Sequence, residues 1–288
     1  MRACRPRFAA TTAVLAALVL PAAAAAVGKP SVAALQVGLR AQGLYDGTID
    51  GVPGAGTKAA VQKLQRLAGL PPDGVLGPKT RAALGRYGKH RLGSRTLRVG
   101  QSGWDVAALQ FMLAWHGFAS GGLDGRFAGP TRRALVHFQR WAGLAPDGVA
   151  GSQVIAALRG PRPHVPISLA WPVHGPIGSP FGPRGNRFHA GIDIVAPITT
   201  PVRAAADGRV SFAGWAAGGW GKLVIVDHAQ GARSLYAHLS AVGVKVGQLV
   251  VTGSRIGRIG ATGDASGPHL HFEVRVRGAS ADPLPALS

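Results

Sequence analysis

Gly267-Pro-His-Leu-His-Phe-Glu273, near the C-terminus, is the stretch whose reading decides the fold. Side chains along a strand alternate between faces, so His269, His271 and Glu273 point one way and Leu270, Phe272 and Val274 the other. Two imidazoles and a carboxylate then stand side by side over an apolar floor, which is half of a metal site. An ordinary strand with histidines on its polar face fits the same seven residues. The rest of the chain decides between the two.

Around this stretch, from about Leu169 onward, short apolar runs are bounded by glycines: Gly208-Arg-Val-Ser-Phe212, Leu223-Val-Ile-Val226, Ser234-Leu-Tyr236, Gln248-Leu-Val-Val251 and Arg255-Ile-Gly-Arg-Ile259. This texture predicts an all-β region, an antiparallel sheet or small barrel. Gly257-Arg-Ile-Gly-Ala-Thr-Gly263 has the look of a nucleotide loop, but no helix pattern follows it, and it reads as a turn. His189-Ala-Gly-Ile-Asp193 adds an imidazole and a carboxylate four residues apart, and Tyr236-Ala-His238 puts a histidine near a strand end. Catalytic zinc takes three protein ligands and keeps a fourth position open. His189, Asp193 and one histidine of the 269/271 pair make such a His₂Asp set. Non-haem iron accepts the same ligand types, but its oxygenase sites use a His-x-Asp spacing that is missing here.

Upstream, Ser31-Val-Ala-Ala-Leu-Gln36 recurs as Asp105-Val-Ala-Ala-Leu-Gln110, an offset of 74 residues. The offset holds without a gap through Asp50-Gly51/Asp124-Gly125, Thr57/Thr131, Gln65/Gln139, Asp73-Gly74/Asp147-Gly148 and Leu84/Leu158. Such a duplication is a repeated domain. Apolar residues three and four apart (Val32, Leu35, Leu39; Val61, Leu64, Ala68) predict three short helices per copy, and Pro78 suits a first helical position. Asp50 and Asp73 read as turn residues. Gly85 to Gly103 reads as a basic linker, and Arg159 to Pro166 as a semi-stiff spacer. His90, His116, His137, His164 and His174 are each solitary and read as structural or solvated.

The chain has 288 residues, 32 Lys+Arg against 12 Asp+Glu, and a formal net charge of +20. Such a surface is drawn to polyanions, and the start of the chain narrows which. Arg2, Arg5 and Arg7, the apolar run Phe8 to Leu20 and the small residues Ala22 to Ala26 have the layout of a secretory signal peptide. Pro21 and the short apolar core argue against a retained membrane anchor. The single cysteine, Cys4, lies in that leader, so the mature chain is expected to have neither disulfide nor thiol nucleophile. An exported cationic chain is expected to meet a bacterial wall and its anionic polymers, with no nucleic-acid partner, no stable membrane insertion and a monomeric state.

Two family resemblances fit these motifs. Asp124 to Thr131, followed by His137-Phe-Gln139, resembles the three-helix peptidoglycan-binding domain of secreted wall enzymes, and the first copy follows the same pattern with Leu64-Gln65 where Phe-Gln is usual. Val154 stands where Thr is usual in the last turn. Residues from about 172 to 284 resemble the LytM/lysostaphin-type (M23) zinc metallopeptidases. The matching motifs are Ser179-Pro-Phe-Gly-Pro-Arg184, His189-Ala-Gly-Ile-Asp193, Tyr236-Ala-His-Leu-Ser240 and Gly267 to Glu273. With the leader read at 1–26 and a Pro-rich linker at 161–168, the resemblance implies binding domains at 27–87 and 96–160 and a peptidase domain at 169–288. It also implies Zn²⁺ on His189, Asp193 and His271, with His238 and His269 as catalytic histidines, in a secreted endopeptidase acting on peptidoglycan. Some members lack these ligands and act as activators of other hydrolases; here all five positions are filled. Glu273 reads as a supporting group or a strand-end ion pair and His228 as structural, while Arg184 and Asn186 are expected to line the substrate groove.

Overall fold

A computed structural model of the protein describes residues 28–288; the signal-peptide reading lies outside them. The first copy folds into α1 (Pro30–Ala41), α2 (Ala55–Leu67) and α3 (Pro78–Ala83), and a one-turn α4 (Arg86–Lys89) follows. The second copy folds into α5 (Trp104–Trp115), α6 (Gly129–Trp141) and α7 (Ser152–Leu158). Proline opens α1 and α3, where its missing N–H costs nothing.

The repeated Gln, Asp-Gly and Thr positions have one physical purpose. Gln36 is buried, donates to Asp50 Oδ1 (2.7 Å) and Thr57 Oγ1 (3.1 Å), and accepts the Gly51 N–H (2.9 Å). Gln110 repeats this with Asp124, Thr131 and Gly125, and Gln65 with Asp73, Thr80 and Gly74. Gln139 keeps Asp147 and Gly148, while Val154 replaces the hydroxyl with an apolar contact. Each network closes a turn onto a helix with its buried polar atoms bonded, as a low-dielectric interior requires.

The stretches read as linkers are packed. Tyr87 is buried and its hydroxyl donates to Asp124 O (3.1 Å). Leu97 forms an antiparallel bridge with Ala150. In the second spacer the Arg162 guanidinium lies over the Trp115 ring.

The C-terminal part contains β1 (Ile177–Ser179), β2 (Gly182–Arg184), β3 (Arg187–His189), β4 (Ile192–Val195), β5 (Pro201–Arg203), β6 (Gly208–Ala216) and β7 (Gly221–Asp227). It continues through β8 (Ala232–Leu239), β9 (Ala241–Val242), β10 (Leu249–Val250), β11 (Arg255–Arg258), β12 (His269–Val276) and β13 (Ala279–Ala281). The main antiparallel sheet runs β1-β4-β12-β8-β7-β6-β10, with β13 also on β12. That path has two ends, so the barrel alternative is not realised. A three-stranded sheet (β5-β11-β9) and the β2–β3 hairpin complete the fold. β12 is central and buries Leu270, Phe272 and Val274 completely. Tyr236 packs on Phe272; its hydroxyl accepts the Ala205 N–H (2.8 Å) and the Ser234 hydroxyl (2.9 Å). Burial pushes that phenol up to about 12.

The helical copies and the sheet share one apolar cluster. Trp115 packs edge-on against Phe181 (6.2 Å), just before β2, and Phe188 (5.2 Å), in β3 of the β2–β3 hairpin. At its tip, the Ile49 N–H donates to Gly185 O (2.8 Å) and the Leu123 N–H to Asn186 O (2.7 Å). Ile49 and Leu123 are equivalent under the 74-residue repeat. Both copies thus grip one hairpin at adjacent carbonyls.

Candidate metal and proton-transfer site

β4 lies beside β12 with His271 opposite Asp193 and Phe272 opposite Ile192. Gly191 permits that pairing, since a Cβ there would stand 2.4 Å from Phe272 O. The β2–β3 hairpin delivers His189 to the same place. His189 Nε2 is 3.1 Å from Asp193 Oδ1 and 3.0 Å from His271 Nδ1, and His271 Nδ1 is 2.9 Å from Asp193 Oδ1. Ligands of a tetrahedral zinc at its usual bond lengths are about 3.3 Å apart, close to this triangle. The far nitrogen of His189 donates to Pro180 O (2.8 Å), which leaves Nε2 free as a lone-pair donor. A carbonyl only accepts, so it fixes the tautomer. Burial alone would raise the Asp193 pKa; the imidazoles of His189 and His271 against it outweigh that and hold the carboxylate far below its ordinary range. Arg184 donates to Asp193 Oδ2 (2.7 Å) and Ser179 Oγ (2.7 Å), binding the oxygen that faces away from the triangle. His189, Asp193 and His271 therefore fit a divalent metal in donor type, tautomer and spacing.

His238 and His269 flank the triangle. Their rings are 4.9 Å apart, and His269 Nε2 lies 3.7 Å from Asp193 Oδ1. His238 donates Nδ1–H to Thr262 O (2.8 Å) and His269 to Gly267 O (2.8 Å), so both keep Nε2 unprotonated when neutral. His238 has φ +61, a left-handed conformation rare outside glycine and costly at about 1–3 kcal/mol; strain of this kind collects where a side chain must be aimed. Burial, aided by the neighbouring imidazoles His269 and His271, lowers the His238 pKa below its ordinary value, so the ring is neutral at neutral pH. Glu273 is fully buried beneath the site. Its Oε1 accepts from Arg275 Nε (2.7 Å) and Ser280 Oγ (2.6 Å), while Oε2 is 3.8 Å from His271 Nε2 with no hydrogen bond of its own. Both readings of Glu273 meet here: it pairs with a strand arginine and backs His271.

An open groove of about 260 Å³ runs over these residues. Arg184 lines it, as expected. Asn186 is at the hairpin tip, held by the second helical copy, and is not among the groove residues. His228 is bonded to Asp207 O (2.8 Å) and Ser234 Oγ (2.7 Å), a structural role. Sequence reasoning missed Trp220, whose ring meets His271 edge-on at 5.5 Å, together with Asp264 and Ser266. A lone tryptophan inside Gly218-Gly-Trp-Gly221 was the available signal.

The open antiparallel sheet thus carries a His/Asp/His triangle flanked by two histidines whose tautomers are set by backbone carbonyls. Residues 187–283 match peptidase family M23, and residues 28–84 and 102–158 each match the family described as "Putative peptidoglycan binding domain". The C-terminal domain is thus of the M23 peptidase family, preceded by two domains of the peptidoglycan-binding family. It is 47% identical over 118 residues to the DD-carboxypeptidase/endopeptidase Mpg of Neisseria meningitidis serogroup B, covering 39% of this chain and 27% of that protein. It is 41% identical over 122 residues to the murein hydrolase activator NlpD of Escherichia coli, covering 41% and 31%. The lysostaphin catalytic domain of Staphylococcus simulans is 36% identical, covering 38% of this chain and 84% of that one, with a TM-score of 0.33. The chain spans about a quarter to a third of the curated relatives' length.

Proposed function

We propose that the protein is a secreted zinc endopeptidase that hydrolyses peptide bonds of bacterial peptidoglycan. The single observation that carries this reading is the complete set of three metal-type donors and two proton-transfer histidines under one open groove. His189, Asp193 and His271 would hold the ion, which would act as a Lewis acid and bring the pKa of a bound water to about 7. This chain's residues then manage protons and charge. Between them, His238 and His269 take the proton of the attacking water at a free Nε2 and pass it to the amine as the C–N bond breaks. The ring not carrying that proton hydrogen-bonds the developing oxyanion. Arg184 holds Asp193 in orientation through Oδ2. The products are one carboxylate and one amine.

The likeness to an activator supports a second reading, a wall-binding protein that stimulates other hydrolases. Purified zinc-loaded protein incubated alone with sacculi separates them. Peptide fragments that stop appearing with chelator and return with Zn²⁺ support the enzyme; release only when a second hydrolase is added supports the activator.

A further inference from the structure

The two helical copies differ in what covers the trough beside their first two helices. In the second, the Leu97 N–H donates to Ala150 O (3.0 Å) and the Ala150 N–H to Leu97 O (2.9 Å). The Leu97 side chain is 1% exposed and shares a core with Val106, Leu109 and Leu135. Under the repeat, Ala150 corresponds to Leu76, and those three residues to Val32, Leu35 and Val61. In the first copy the same trough is an open cavity of about 430 Å³, edged by Lys58 and Trp104. Among the described residues, neither the N–H nor the C=O of Leu76 has a backbone partner, and Val75 beside it is 61% exposed. The position matching Leu97 is Ala23, inside the segment read as leaving with the signal peptide.

The second copy therefore displays the chemistry of the missing occupant: one residue of extended backbone, offering an N–H and a C=O, with an aliphatic side chain beneath it. We infer that the first copy's trough binds the peptide part of the wall polymer, while the second copy's trough is closed by Leu97. One extended residue of the wall peptide bridges Leu76 as Leu97 bridges Ala150, its aliphatic side chain sits on Val32, Leu35 and Val61, and a peptide carboxylate faces Lys58. A bridge to a single residue is indifferent to the alternating chirality of wall peptides, because no second strand residue has to stay in register. The wall-peptide occupant rests on the reading of the protein as a wall enzyme. Its consequence is that the duplication gives one binding site and one supporting module, rather than two sites acting by avidity.

The test uses ¹⁵N-labelled protein starting after residue 26, with chelator so that nothing is cleaved, titrated with a disaccharide-tetrapeptide. The Leu76 amide is expected to shift saturably and to become protected from hydrogen exchange. Ser31→Trp, which places an indole at the trough mouth, and Lys58→Glu should each weaken binding about tenfold or more, while Arg132→Glu, the equivalent change in the second copy, leaves it unchanged. A silent Leu76 amide, or an equal response to the peptide-free disaccharide, overturns the inference. So does a Leu76 amide already protected in the free protein, which would mean that the chain or a second copy fills the trough. Fragment release from sacculi is not read in this experiment, so its failure leaves the endopeptidase reading standing.

Discussion

His269 and His271 stand two residues apart on one face of β12, yet their ring nitrogens have different partners. His271 turns Nδ1 into the triangle with Asp193 and His189, whereas His269 gives Nδ1–H to a backbone carbonyl and leaves Nε2 beside it. His271→Ala is therefore expected to lose zinc and activity together, and His269→Ala to keep a full equivalent of zinc while turnover falls by about 10²–10⁴-fold. Metal analysis of the purified variants with single-turnover kinetics checks both; zinc loss in His269→Ala would mean that the two roles are exchanged. Glu273→Gln removes the charge behind His271 Nε2 and should weaken zinc about 10–100-fold, as loss of a ligand's supporting partner generally does; competition with a chromogenic chelator measures it. The alternation of β12 was legible because a period of two is local. The tautomers were not, because Pro180 O, Thr262 O and Gly267 O are backbone groups that any residue type supplies.

At the scale of elements, the β2–β3 hairpin links the helical copies to the chemistry. One leg carries Arg184, the other His189, and its tip is held by Ile49 and Leu123. Trp115→Ala removes the rings' edge contacts with Phe181 and Phe188 and should cost about 3–5 kcal/mol of stability. It should also weaken zinc binding in the protein that remains folded, because the strand carrying His189 loses its backing. Denaturant titration of the zinc-free chain, with metal competition, checks the two effects separately. The helices and the duplication were legible in Val32, Leu35 and Leu39 and in the 74-residue offset. The grip on the hairpin was not, since it joins residue 49 to 185 and residue 123 to 186 through backbone atoms. The linker reading of Gly85 to Gly103 failed for a related reason: Gly and Arg dominate the stretch, but Tyr87 is buried between the two copies and Leu97 in the core of the second.

Across the whole molecule, two histidines, His116 buried and His228 half-buried, make stability depend on acid. Burial holds His228 and His116 below their ordinary pKa despite bonds to Asp207 O and Met112 O. The unfolded chain takes up protons near pH 6.5 while the folded one resists until lower pH, so the unfolded state binds more protons across that window. Melting temperature should thus fall as pH drops below about 6.5, with no contribution from these groups above pH 7. His228→Gln should flatten part of that slope; an unchanged slope in calorimetry would remove His228 from the account. The central claim is hydrolysis of a peptide bond by this chain acting alone. Digestion of sacculi in H₂¹⁸O followed by mass spectrometry tests it most directly. The account predicts peptide fragments with one new amine and one new carboxylate bearing a solvent oxygen, made by the zinc-loaded protein and absent with His271→Ala. Intact stem peptides, or cleavage confined to the sugar chain, would contradict it.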